Sequence, residues 1–306
     1  MKRIPTLARI GRLARIARLA SRSIGFGGAS NASTFAREWS WAASYALPDL
    51  ADWPEQAELL TQARSFAAPI VPLITQTNFD AGGDMAIDAA ALNALDAAIV
   101  AAVPEGTTGP ALLDHETPTF SLWRLSTSSD SDVMTAVDYC AALLMRAKQV
   151  RPEASWGMYG MPRKPGNQLS WDEWHRRVAM SAPLWAASDA VHVGCYVTTW
   201  EPDQDSHDEC TAVLTTAAAW ARPTYAWICP RYARGSAVAA AHGRLIPEAD
   251  LLARARACAA ARTSPWVRGL CVWDGMRSDD DADRAEAIDQ ADVCWRAVVA
   301  AMRGAQ

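Results

Sequence analysis

This chain of 306 residues is poor in several of the residues and patterns that usually announce chemistry. It has only five histidines, and no HxH or HExxH spacing among them, which argues against the common histidine-rich metal centres. Its seven cysteines, at 140, 195, 210, 229, 258, 271 and 294, form no CxxC pair and are odd in number. The pattern reads as neither a disulfide framework nor a zinc site, and most of them sit in apolar runs, as small buried side chains in a reducing compartment do. No Gly-rich phosphate fingerprint follows any predicted strand, which disfavours a dinucleotide-binding sheet. No apolar stretch is long enough to span a bilayer. Excess positive charge is missing too: the formal charge is −5, which argues against general nucleic-acid binding and gives no sign of specific nucleic-acid recognition.

What is present begins with an unusual N-terminus. Lys2, Arg3, Arg9, Arg12, Arg15, Arg18 and Arg22 all precede the first acidic residue, Glu38. Ile4, Leu7, Ile10, Leu13, Ile16 and Leu19 recur between them at a spacing of three, the pattern of a basic amphipathic helix suited to an anionic membrane surface, a nucleic acid or an acidic partner. Arginine interrupts every candidate apolar core of a secretory signal, so none is expected, whereas an organellar transit peptide or a solvated arm has the same look. Residues 21–33, rich in Gly, Ser and Asn, read as a linker. The domain division expected is therefore an arm and linker over 1–33 and one catalytic-type domain over 34–306.

Half of the residues are hydrophobic, enough to bury the core of a single α/β barrel. From about residue 65 a short apolar strand followed by an Ala-rich helix recurs. Strands are predicted over 70–75, 111–116, 156–161, 191–197, 224–230 and 267–274, with helices over 87–103, 132–150, 171–187, 206–221, 248–261 and 283–302. One or two further strands are expected between 34 and 68. The fold class is α/β: a TIM-type (β/α) barrel, distorted, with seven or eight strands.

In such a barrel, chemistry gathers at the C-terminal ends of the strands. Asp114 and Glu116 close the strand that begins Ala111-Leu112-Leu113, two residues apart and therefore on one face by strand alternation. Paired carboxylates at close range compete for ionisation, which leaves an acid beside an anion. Two plainer readings stand beside this one: the pair solvates a strand end, or it holds a metal. Tyr159, Tyr196, Trp273 and Asp274 end other strands and Tyr232 follows one, so a cleft with hydroxyls and aromatic faces, suited to a sugar ring, is expected there. The fourteen tryptophans fit either sugar stacking or core packing.

Several stretches, in order, resemble the hyaluronidases, a glycoside hydrolase family with a distorted barrel. Gly82-Gly83, Ala101-Ala102-Val103-Pro104 and Gly109-Pro110-Ala111-Leu112-Leu113-Asp114-His115-Glu116 resemble the segment that ends in the family's Asp-Trp-Glu motif. Arg151-Pro152 with Trp156-Gly157-Met158-Tyr159-Gly160-Met161-Pro162 is similar to its Trp-Gly-Phe-Tyr-Gly-Phe-Pro run, and Asn167-Gln168-Leu169-Ser170-Trp171 to the helix start that follows. The strand at 191–197 with Tyr196, the segment Pro223-Thr224-Tyr225 through Pro230-Arg231-Tyr232, and Gly269-Leu270-Cys271-Val272-Trp273 resemble later strands.

The resemblance implies that Glu116 donates the proton to the glycosidic oxygen and that Asp114 orients and polarises the substrate's acetamido group. That group's carbonyl oxygen is the nucleophile, forming an oxazolinium, in place of a second carboxylate. Tyr159, Tyr196 and Trp273 then line the subsite, and no metal or organic cofactor is implied. The implied partner is a polysaccharide containing N-acetylhexosamine, whether hyaluronan-, chitin-, peptidoglycan- or capsule-like. The chain departs from the pattern where His115 replaces Trp, where Thr117-Pro118-Thr119 replaces an Arg-Pro segment, and where the family's disulfide cysteines have no counterparts. The cationic residues expected near strand ends, Arg124, Arg163, Lys164 and Arg231, are few for a polyanion. A barrel that binds glycan without cutting it, docked through the basic arm, is the alternative reading.

Overall fold

The computed structural model describes residues 44–46, 71–161, 169–196, 204–229, 246–261 and 264–273, all within the unit Trp41–Gln306. The basic arm, the linker and the helix expected over 283–302 lie outside the described residues. The strands are β1 (Ser44–Ala46), β2 (Leu73–Thr75), β3 (Pro110–Asp114), β4 (Ser155–Met158), β5 (Val191–Gly194), β6 (Thr224–Ile228) and β7 (Val267–Trp273). The helices are α1 (Ala89–Ala102), α2 (Thr119–Arg124), α3 (Asp130–Val150), α4 (Trp171–Met180), α5 (Ala182–Ala187), α6 (Gln204–Ala218) and α7 (Glu248–Ala260).

The fold is mixed α/β, and among the described residues every ladder is parallel. One sheet has the order β2-β3-β4 and the other β1-β7-β6-β5. They meet at a seam between β4 and β5, where Tyr159 and Met161 each bridge His192. Among the described residues no ladder joins β1 to β2, so the expected barrel is represented by two parallel sheets that share a seam. Gly157 makes the seam possible: a Cβ there would stand 2.4 Å from His192 Cδ2 and 2.6 Å from the Ala190 carbonyl oxygen. β1 supplies one of the strands expected between 34 and 68.

Helix boundaries follow capping chemistry. The Asp88 side chain accepts from Ala91 N at the start of α1, and a Ser129/Asp132 capping box opens α3, each satisfying backbone donors that the first turn leaves unpaired. Along α3, Val133, Val137, Cys140, Leu144 and Ala147 are buried, the 3.6-residue stripe of a helix lying on a sheet. The single helix expected over 171–187 is broken at Ser181, whose hydroxyl donates to the Arg177 carbonyl and accepts from Trp123 Nε1 at 2.8 Å. Pro183 then opens α5, since proline suits a first turn and disrupts a helix interior.

Trp123, Trp156, Trp174 and Trp227 are among the largest fully buried side chains, so core packing, rather than sugar stacking, accounts for these four. Among the described residues no helix is long and apolar enough to cross a membrane.

Candidate active site

The parallel ladders bring Asp114, Tyr159 and Tyr196 together. Asp114 ends β3 opposite Thr75. On the other side Leu113 pairs with Met158, and Tyr159 N donates to the Leu113 carbonyl at 2.8 Å, so Tyr159 comes level with Asp114 on the neighbouring chain. Tyr196, two residues beyond β5, has its ring 5.9 Å from that of Tyr159. Burial, followed by the nearby charges of Tyr159, Cys229 and Asp114, holds the Tyr196 hydroxyl well above the usual phenol range. It is thus a proton donor at any ordinary pH.

Glu116 departs from the expected strand. β3 stops at Asp114 because β2 turns at Thr75 into a 3-10 turn, Gln76–Asn78, and offers no further ladder partner. Glu116 therefore stands on a loop, exposed, and strand alternation does not set its direction. Gln76 does part of that work: its Oε1 accepts from Glu116 N at 3.2 Å and Thr117 N at 3.0 Å, while its Nε2 donates to the Thr117 carbonyl. Gly83 packs beneath the same loop at φ +66°, where a Cβ would lie 2.9 Å from the Thr117 oxygen.

Between the two acids, His115 turns inward and is fully buried. Its Nε2 donates to Asp80 Oδ2 at 2.7 Å and its Nδ1 faces Thr119 Oγ1 at 3.1 Å. Tyr139 also donates to Asp80 Oδ2, at 3.1 Å. Burial depresses His115 against the opposing pull of Asp80, so the imidazole is neutral at neutral pH. The Asp80 carboxyl is raised by burial, but hydrogen bonds from His115, Tyr139, Met85 N and Asp84 N outweigh this and hold it below the ordinary value. This network fixes the loop that follows Asp114 and carries Glu116. Gln76, Asp80 and Tyr139 were invisible to motif reading, since nothing in their local sequence signals a partner tens of residues away.

The Tyr159 ring packs against Phe120, Tyr196 and Trp227 and is buried. It is a wall residue with a hydroxyl, and a free stacking platform is not what its burial describes. Trp273 is the last residue of β7, paired with Ala46. Tyr232 and Asp274 lie outside the described residues, as do Arg163, Lys164 and Arg231.

A second grouping arises where spacing predicted none. Cys195, just past β5, Cys210 on α6 and Cys258 on α7 are all buried, with their sulfur atoms within 4.8 Å of one another. Hydrogen bonds from Cys195 and Cys258, then the charge of Arg254, pull the Cys210 thiol well below its usual range.

No family model matches the chain, and no curated protein matches it significantly. Among solved structures it is similar to bee venom hyaluronidase in complex with a hyaluronic acid tetramer, at 16% identity and TM-score 0.48, over 65% of this chain and 72% of that one. A monoclinic crystal structure of bee venom hyaluronidase is similar at 14% identity and TM-score 0.48, over 68% of this chain and 77% of that one.

Proposed function

We propose that this protein is a retaining glycoside hydrolase that cleaves an N-acetylhexosamine-containing polysaccharide by substrate-assisted catalysis, on a distorted (β/α) barrel. The observation that carries the reading is the convergence of Asp114, Tyr159 and Tyr196 at the C-terminal ends of β3, β4 and β5, with the exposed Glu116 two residues beyond Asp114. In parallel α/β folds such strand ends are where substrates bind.

In this reading Glu116 protonates the departing glycosidic oxygen and later takes a proton from the attacking water. The acetamido carbonyl oxygen attacks the anomeric carbon. Asp114 accepts the acetamido N–H and stabilises the positive charge of the oxazolinium. The protonated Tyr196 hydroxyl and Tyr159 orient the ring and its acetamido group, while Trp273, Tyr232 and Asp274 complete the subsites. No organic cofactor or metal takes part in these steps. The Asp80-His115 network keeps both acids in register, which is the preorganisation a first shell needs.

The test is cleavage of a panel of acetamido-containing glycans by wild type, Glu116→Gln and Asp114→Asn. Turnover that both substitutions abolish supports the reading, and equal activity in all three proteins ends it. Glycan binding retained in every variant, with no turnover by wild type, selects the non-catalytic binding protein instead.

A further inference from the structure

We propose that Cys195, Cys210 and Cys258 form a buried zinc site that ties β5, α6 and α7 together, apart from the carbohydrate chemistry. Three thiols from three different elements converge with all their sulfurs within 4.8 Å, and Cys210 Sγ lies 3.6 Å from Cys258 Sγ. Zinc–thiolate bonds of about 2.3 Å in a tetrahedron separate their sulfurs by roughly 3.8 Å, so the spacing suits one shared ion.

Charge points the same way. Arg254 is fully buried one turn before Cys258 and lies against Cys210. Three thiolates around a divalent ion carry one negative charge in excess, and the buried guanidinium beside Cys210 places positive charge next to it. The scaffold is also held in register, since Thr211 Oγ1, adjacent to Cys210, donates to the Ala257 carbonyl beside Cys258 at 2.9 Å. Among the described residues the three cysteines supply three positions of the tetrahedron.

The experiment uses the full chain, reduced and purified without chelator. It is dialysed against Zn2+ alone and then against metal-free buffer, with metal counted by mass spectrometry. The expected result is about one zinc per chain, a raised thermal midpoint that a strong chelator reverses, and, on replacement by Co2+, thiolate-to-cobalt charge-transfer absorption. Cys195→Ser and Cys210→Ser lose the retained zinc and the absorption. Cys140→Ser, which removes a buried thiol outside the cluster, keeps both and controls for packing damage. Wild type that is folded by circular dichroism yet retains no zinc overturns the proposal, whatever the variants do. So does a mass showing that Cys210 and Cys258 are joined as a disulfide in protein prepared under reducing conditions, or zinc retention in Cys195→Ser equal to wild type.

Discussion

His115 Nε2 lies 2.7 Å from Asp80 Oδ2 although the two residues are 35 positions apart. The contact pins the residue between the two candidate catalytic acids to the turn that follows β2. His115→Ala leaves a buried carboxylate and a buried hydroxyl short of a partner, at a cost of about 2–4 kcal/mol. Urea unfolding measures it. The same variant is expected to lower kcat on any glycan the protein cleaves more than it raises KM, because the two acids lose their alignment.

The network also makes folding acid-sensitive. His115 is depressed below 6.5 in the folded protein, so the unfolded imidazole takes its proton first, and stability is lost as the pH falls below that value. The Asp80 carboxyl is likewise depressed from 3.8. Its contribution is complete above that pH and fades below it. Acidification therefore removes stability in two stages, the first at up to about 1.4 kcal/mol per pH unit. Urea midpoints measured from neutral pH downward check this, and His115→Phe is expected to flatten the first stage.

Removing the proposed proton donor is expected to be severe. Glu116→Gln lowers kcat about 10²–10⁴-fold with little change in stability, since Glu116 is exposed. A de-N-acetylated version of a cleaved glycan is expected to resist wild type, because the nucleophile is absent. Comparable turnover of the acetylated and de-N-acetylated polymers contradicts substrate assistance.

Two adjacent arginines separate buried from surface ion pairing. Arg177, 1% exposed, donates to Glu173 at 2.6 Å and to the carbonyls of Trp123, Leu125 and Ser128. Glu173 itself is held at about 2, chiefly by Arg176 and then by Arg177. Arg177→Met strands three carbonyls and is expected to cost about 3 kcal/mol. Arg176→Ala, at 44% side-chain exposure, is expected to cost under about 1 kcal/mol. Chemical denaturation of the two variants side by side checks the contrast.

Gly157→Ala drives a methyl group into His192 and the Ala190 backbone at the seam between the sheets. Overpacking of this kind costs about 1–3 kcal/mol, and backbone cannot swing aside as a flexible side chain can. A thermal midpoint equal to wild type would contradict the close approach.

Much of the architecture was legible before any coordinates. Ala-rich 3.6-residue stripes located α1, α3, α6 and α7 to within a few residues, and apolar runs located β2 through β7, because local periodicity records which face each element buries. Strand ends were read too long: 111–116 ended at Asp114 and 191–197 at Gly194. A strand stops where its neighbours stop pairing, and that information lies in other parts of the chain. Ser181 broke one expected helix for a comparable reason, its hydroxyl being engaged by Trp123 from α2.

The amino-acid order alone determined the strand–helix alternation and the presence of an Asp at the end of an apolar strand, since both depend on contacts between near neighbours in sequence. Tertiary structure decided the rest. It turned Glu116 off the strand under the grip of Gln76, buried His115 against Asp80 and Tyr139, packed Tyr159 among Phe120, Tyr196 and Trp227, and gathered three widely spaced cysteines around one point. Each of these is a long-range contact, chosen by the burial and hydrogen-bond satisfaction of the whole fold, which no local pattern encodes.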